Sequence, residues 1–285
     1  MAATSIRRKA SKDLREARPS IVRIARLGWF AKGVVYLLAG VLAVSLATRS
    51  LRWKTPEVDG EASPTGAIKE LAGVAGGRAL LYVLGIGLIL YAAWRFYTSI
   101  AKGGAGAEAV AKRIGYGFSA ILYLTFAVTS FALAKHPQEN ANGNAKVSDI
   151  TTRILDHSLG RWIIGGCGLI AIAVGAYRFR KGLTGDVEDE LNLSALSANR
   201  RQWLHRLGVL GEIGRGVAIA LIGFFLLRAS MTANAQEATG LDGALRRLAT
   251  QTWGAVVVAI VGLGFVAYGI FCLLTFNHRQ LQAPS

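Results

Sequence analysis

Residues 114–134 carry no acidic, basic or histidine side chain across 21 consecutive positions. At 1.5 Å per residue such a run makes about 32 Å of helix, enough to cross a hydrocarbon core of ~30 Å. Five further runs have the same character, giving six spans at about 27–48, 79–97, 114–134, 162–180, 208–227 and 252–276. They are rich in Ala, Leu and Gly and lack period-two alternation, which excludes strands. A hydrophobic fraction of 52% and a mean hydropathy of +0.38 do not by themselves distinguish this chain from a very apolar soluble one; the length of the runs does. The expected class is all-α and polytopic, with the chain crossing a membrane six times.

The spans recur as pairs with a period of about 90 residues, the mark of a repeat architecture. Leu27-Gly28-Trp29-Phe30-Ala31-Lys32-Gly33-Val34 opens the first pair and Leu210-Gly211-Glu212-Ile213-Gly214-Arg215-Gly216-Val217 the third, with Ile114-Gly115-Tyr116-Gly117-Phe118-Ser119 a weaker copy between them. The even spans match as well: Gly77-Arg78 leads to Trp94-Arg95-Phe96 at the spacing by which Gly160-Arg161 leads to Tyr177-Arg178-Phe179. Gly254, Gly262 and Tyr268 stand opposite Gly77, Gly85 and Tyr91, with Cys272 where the other copies have Arg95 and Arg178.

These motifs closely resemble a bacterial membrane-protein family known as domain of unknown function 1206, in which a two-span unit occurs three times. The resemblance covers roughly residues 20 to 278 and implies architecture without an activity. The expected division is a basic cytoplasmic segment 1–20, repeats at 21–105 and 106–185, a cytoplasmic linker 186–205, a third repeat at 206–278 and a tail 279–285. Because each unit holds two spans, all three share one orientation. They can then be related by a pseudo-threefold axis along the membrane normal. Mitochondrial carriers also have three pairs of spans, but their Pro-x-acidic-x-x-basic signature is absent, and none of the five prolines lies in a span.

Net charge is +16. Sorting the charges by side explains it without nucleic acid. Residues 1–32, the second-to-third and fourth-to-fifth connections with the charges at the adjoining span ends, and the C-terminus hold 21 Lys and Arg against 8 Asp and Glu; the opposite side holds 12 against 9. The Lys/Arg excess marks the cytoplasmic side, so both termini are expected inside a bacterial inner membrane. Anionic lipid of the inner leaflet would attract the basic N-terminal segment by about 1 kcal/mol per cation. Ser45-Leu46-Ala47 has the form of a signal-peptidase site, but the run before it matches two internal spans and is expected to be retained.

The three external loops share turn residues followed by a short amphipathic stretch: Ala67–Leu71 after Ser63-Pro64, Ile150–Leu155 after Ser148-Asp149, and Ala244–Leu248 after Gly240 and Asp242. Each is expected to form a short interfacial helix. The linker opposes Asp186, Glu188, Asp189 and Glu190 to Arg200, Arg201, His205 and Arg206, a pattern that a solvated helical hairpin explains.

Some charges cannot avoid the bilayer. Only 16 uncharged residues separate Lys32 from Arg49, about 24 Å of helix, so Lys32 lies within the first span. Only 12 separate Arg215 from Arg228, which puts Arg215 and Glu212 within the fifth. Glu212 and Arg215 are i,i+3 neighbours and can pair across one helix face. Arg95 and Arg178 reach the same edge of the bilayer from the other direction, so Lys32, Arg95, Arg178 and Arg215 form a candidate basic vestibule or lipid head-group site. Tyr36, Ser119 and Tyr123 are the candidate axial polar residues. The competing reading is that long cationic side chains snorkel to the interface beside a belt of Trp29, Phe30, Trp94, Tyr97, Tyr116, Tyr177 and Phe179.

Both cysteines, Cys167 and Cys272, fall inside spans and imply no disulfide. The four histidines fall in loops or at span ends, which leaves no paired haem ligands within the bilayer, and no zinc or nucleotide motif occurs. No catalytic residue, metal or cofactor is expected. The expected function is a non-enzymatic scaffold or accessory protein that binds anionic lipid or a membrane protein at its cytoplasmic face. The alternative is a channel or facilitator for an anion or small solute along the pseudo-threefold axis.

Overall fold

The computed structural model describes residues 26–49, 62–73, 75–101, 107–136, 143–157, 159–185, 197–251 and 253–276. The basic segment 1–20, the acidic half of the linker and the tail 279–285 lie outside the described residues. All regular structure among the described residues is helical. Six long helices, α1 (Arg26–Arg49), α3 (Gly77–Ala101), α4 (Ala107–Lys135), α6 (Gly160–Thr184), α7 (Ala198–Thr232) and α9 (Gly254–Thr275), form three successive pairs, each with a short α-helix between its members. The short helices are α2 (Pro64–Gly73), α5 (Gly143–Leu155) and α8 (Leu241–Ala249), and they occupy the three loops with amphipathic stretches. Each long helix is long and apolar enough to cross a membrane, which makes this a multi-pass membrane protein. The linker's final residues are helical and continuous with the fifth span, so α7 runs for 35 residues, about 52 Å.

Each unit turns from short helix to even span in the same way. A Cβ at Gly77, Gly160 or Gly254 would run into the carbonyl oxygen six residues earlier, that of Leu71, Ile154 or Leu248. Only glycine lets the chain pass there, which explains why it opens every even span. At the start of α2, Ser63 Oγ accepts a hydrogen bond from Gly66 N–H at 3.0 Å and Pro64 takes the first helical position. The same loop is tied across the molecule, for Ala62 N–H donates to Asp242 Oδ1 of α8 at 2.7 Å.

Helix packing follows the small residues. The even helix of each unit lies on the odd helix of the next: α3 on α4, α6 on α7, and α9 back on α1. These interfaces use equivalent positions, with Gly85 facing Phe131, Gly168 facing Leu227 and Gly262 facing Val44. Backbones approach closely at such glycines, and dispersion replaces the missing hydrophobic drive in lipid. Packing within a unit recurs only twice. Gly28 seats Tyr91 and Ala31 meets Gly87 in the first unit; Gly211 seats Tyr268 and Gly214 meets Gly264 in the third. In the second unit the equivalent residues are Gly115 with Val174 and Phe118 with Ile170. There a Cβ on Gly115 would meet nothing within 4 Å, and among the described residues α4 and α6 form no packed interface.

Candidate functional site

Lys32 enters the bundle because α1 is held on both sides. Gly28 lies against Tyr91 and Gly87 of α3, and Gly33 lies against Cys272 and Leu273 of α9. Between those contacts the Lys32 side chain turns inward and is 1% exposed. Its ammonium donates to Tyr268 Oη at 2.7 Å and Tyr91 Oη at 3.1 Å. Five rings surround it, with centroids at 4.6 Å (Trp29), 4.9 Å (Tyr268), 5.0 Å (Tyr91), 5.3 Å (Tyr123) and 5.8 Å (Tyr36). A desolvated cation on aromatic faces gains about 2 kcal/mol or more, which offsets part of the cost of placing it in the bilayer.

Tyr91 and Tyr268 stand at equivalent positions of the first and third units, so the repeat supplies both hydroxyls from one pattern. The second unit has Val174 there and reaches Lys32 through Tyr123 of α4 instead. Tyr36 lies one turn beyond Lys32 and packs edge-on against Tyr268 and Phe265. Ser119 is half-buried on α4, at the position equivalent to Lys32 and Arg215.

The other cations join the same chain of contacts. Arg95 Nε donates to Tyr91 Oη at 2.8 Å, and its guanidinium lies over Tyr116 at 5.1 Å. Arg215, 8% exposed, lies over Tyr268 at 4.1 Å and over Tyr36 at 5.6 Å. Glu212 accepts from Arg215 Nη1 at 2.8 Å with one oxygen and from Arg178 Nη1 of α6 at 2.9 Å with the other. Contacts therefore run unbroken from Arg95 through Tyr91, Lys32, Tyr268, Arg215 and Glu212 to Arg178. Among the described residues, two guanidiniums of this chain, Arg178 and Arg215, share the single carboxylate of Glu212. Moreover, the Nε atoms of Arg178 and Arg215 are buried without a hydrogen-bond partner.

The inward placement excludes snorkelling for Lys32 and Arg215. It also removes Trp29 from any interfacial belt, since Trp29 is buried and its indole N–H donates to Thr275 Oγ1 of α9 at 3.2 Å. Phe30, Tyr177 and Phe179 stay on the outer surface. Sequence reasoning missed the parts of Tyr91, Tyr268 and Trp29. The signal for the tyrosines was their shared place in the repeat. Among the described residues no three His, Cys, Asp or Glu side chains gather as a metal site would require.

These features define a helical membrane protein built from three two-span units, with an ionic and aromatic chain through its interior. The family described as a domain of unknown function (DUF1206) matches residues 27–102, 114–185 and 210–275, one match per unit, and the chain belongs to that family. It is similar to the uncharacterized protein YxxB of Bacillus subtilis (strain 168), with 31% identity over 279 residues, covering 96% of this chain and 97% of the relative. No solved structure matches.

Proposed function

We propose that this protein is a non-enzymatic lipid-binding scaffold of the bacterial inner membrane, which holds an anionic head group beside Arg178, near the end of α6. That end faces the cytoplasm, and the three units stand about a pseudo-threefold axis. The observation that carries the reading is that Arg178 and Arg215 share one carboxylate, Glu212, while the Nε of each is buried without a hydrogen-bond partner. Burying cations without enough counter-charge is costly, and an anion at this end offsets that cost. Arg178 is placed to meet one, with its side chain 31% exposed and a single Nη engaged by Glu212. Phosphate suits a guanidinium because its oxygens match the planar fork of donors.

The test is native mass spectrometry after reconstitution in vesicles of equal phosphatidylglycerol and phosphatidylcholine. The protein should retain phosphatidylglycerol preferentially, and Arg95→Gln with Arg178→Gln should abolish the preference. Equal retention of the two lipids by the unaltered protein would overturn the reading. The alternative of an axial anion or solute path is less well supported, because five rings pack around the Lys32 ammonium where such a path would run.

A further inference from the structure

The second unit departs from the other two at two paired positions, and both departures open the same seam. Small residues let α1 meet α3 and α7 meet α9: a Cβ at Gly87 would stand 2.7 Å from that of Ala31, and one at Gly214 would stand 2.7 Å from the Gly264 backbone. Phe118 and Ile170 take those places between α4 and α6. Two bulky side chains cannot fit where backbones almost touch, so the helices stay apart. Phe118 is 69% and Ile170 66% exposed, and α6 is packed mainly on α7.

Both walls of the seam end at the ionic chain. On α4, Tyr116 lies under the Arg95 guanidinium and Tyr123 beside the Lys32 ammonium; on α6, Arg178 binds Glu212. The seam is thus apolar along its length and cationic at one end, the complement of a phospholipid. We propose that the α4–α6 seam is a lateral groove for one acyl chain of an anionic glycerophospholipid whose phosphate lies on Arg178. This rests on the head-group reading above and adds to it a route of entry from within the bilayer. The phosphate oxygens accept from the outward part of the Arg178 guanidinium, whose side chain is 31% exposed, and the chain covers Phe118, Ile170 and Val174. A second copy of this protein fits less well, because among the described residues the carboxylate at this level, Glu212, is buried and already bound by two arginines.

Two measurements separate the occupants. In a Cys167→Ser background, Gly115→Cys with Val174→Cys places thiols where Gly28 and Tyr91 touch in the first unit. Oxidation in vesicles should leave these thiols unlinked, because a disulfide requires Cβ atoms about 3.8 Å apart. Adding Phe118→Ala and Ile170→Gly restores the small pair. The helices should then cross-link, and retained phosphatidylglycerol should fall about tenfold. Ready cross-linking without those two changes, or undiminished lipid retention with the cross-link formed, would overturn the groove while leaving the head-group reading standing. Loss of phosphatidylglycerol preference in the unaltered protein would remove the head-group reading first. Should the four-residue variant fail to fold, a photo-reactive benzoylphenylalanine at Phe118 in the otherwise intact chain decides the matter. An adduct with lipid supports the groove, and an adduct with a second copy or another protein refutes it.

Discussion

Glu212 is the residue on which the interior charge balance turns, since its two oxygens serve two guanidiniums from different helices. Glu212→Gln removes the counter-charge of both, and breaking a buried pair by deleting one partner costs about 3–5 kcal/mol. The variant should unfold well below the unaltered protein when melted in detergent, and adding Arg215→Met should recover part of the loss. A melt unchanged by Glu212→Gln would show that the pair contributes nothing to the bundle. The Glu212–Arg215 spacing was legible in the sequence because i,i+3 neighbours share a helix face. So was the depth of Lys32, because helix length per residue is fixed. Its hydroxyl partners were not, since Tyr91 and Tyr268 lie 59 and 236 residues away and only packing brings them in. Length arithmetic gives how deep a charge lies, but not whether it points toward lipid or protein.

At the scale of elements, the six spans and three loop helices were readable from run length and amphipathic spacing, with ends uncertain by several residues. The glycines were visible as packing surfaces, but not their partners, because equally close contacts join consecutive units and, in the first and third, the two spans of one unit. Gly175 and Gly166 test this distinction on one helix. A Cβ at Gly175 would stand 2.7 Å from Ala220 N and Gly216 O of α7, so Gly175→Ala must force the two backbones apart, at about 1–3 kcal/mol. A Cβ at Gly166 would meet nothing within 4 Å, and Gly166→Ala should gain about 0.5–1 kcal/mol of helix propensity. Denaturation in mixed micelles should show the two changes moving stability in opposite directions; a shared sign would refute the α6–α7 contact as described. The open seam was latent in the sequence too, since Phe118 and Ile170 stand where the other units have small residues. It became meaningful only once those small residues were seen to touch.

For the whole molecule, orientation is the property most open to a direct test. A reporter active only in the cytoplasm, fused after Ser285, should work, whereas a periplasmic reporter at the same place should stay silent; the reverse pattern would invert the proposed topology. The bundle itself is closed by α1 against α9, with Ala62, just before α2, tied to Asp242 of α8. That closure orders events during synthesis. Lys32 is made 236 residues before Tyr268, which at ~5–20 residues per second is an interval of tens of seconds. Throughout it the nascent first helix carries an ammonium with half of its hydroxyl pair missing. Until α9 docks, Lys32 therefore has Tyr91 without Tyr268, and the polar centre of the bundle is completed by the last of the described helices.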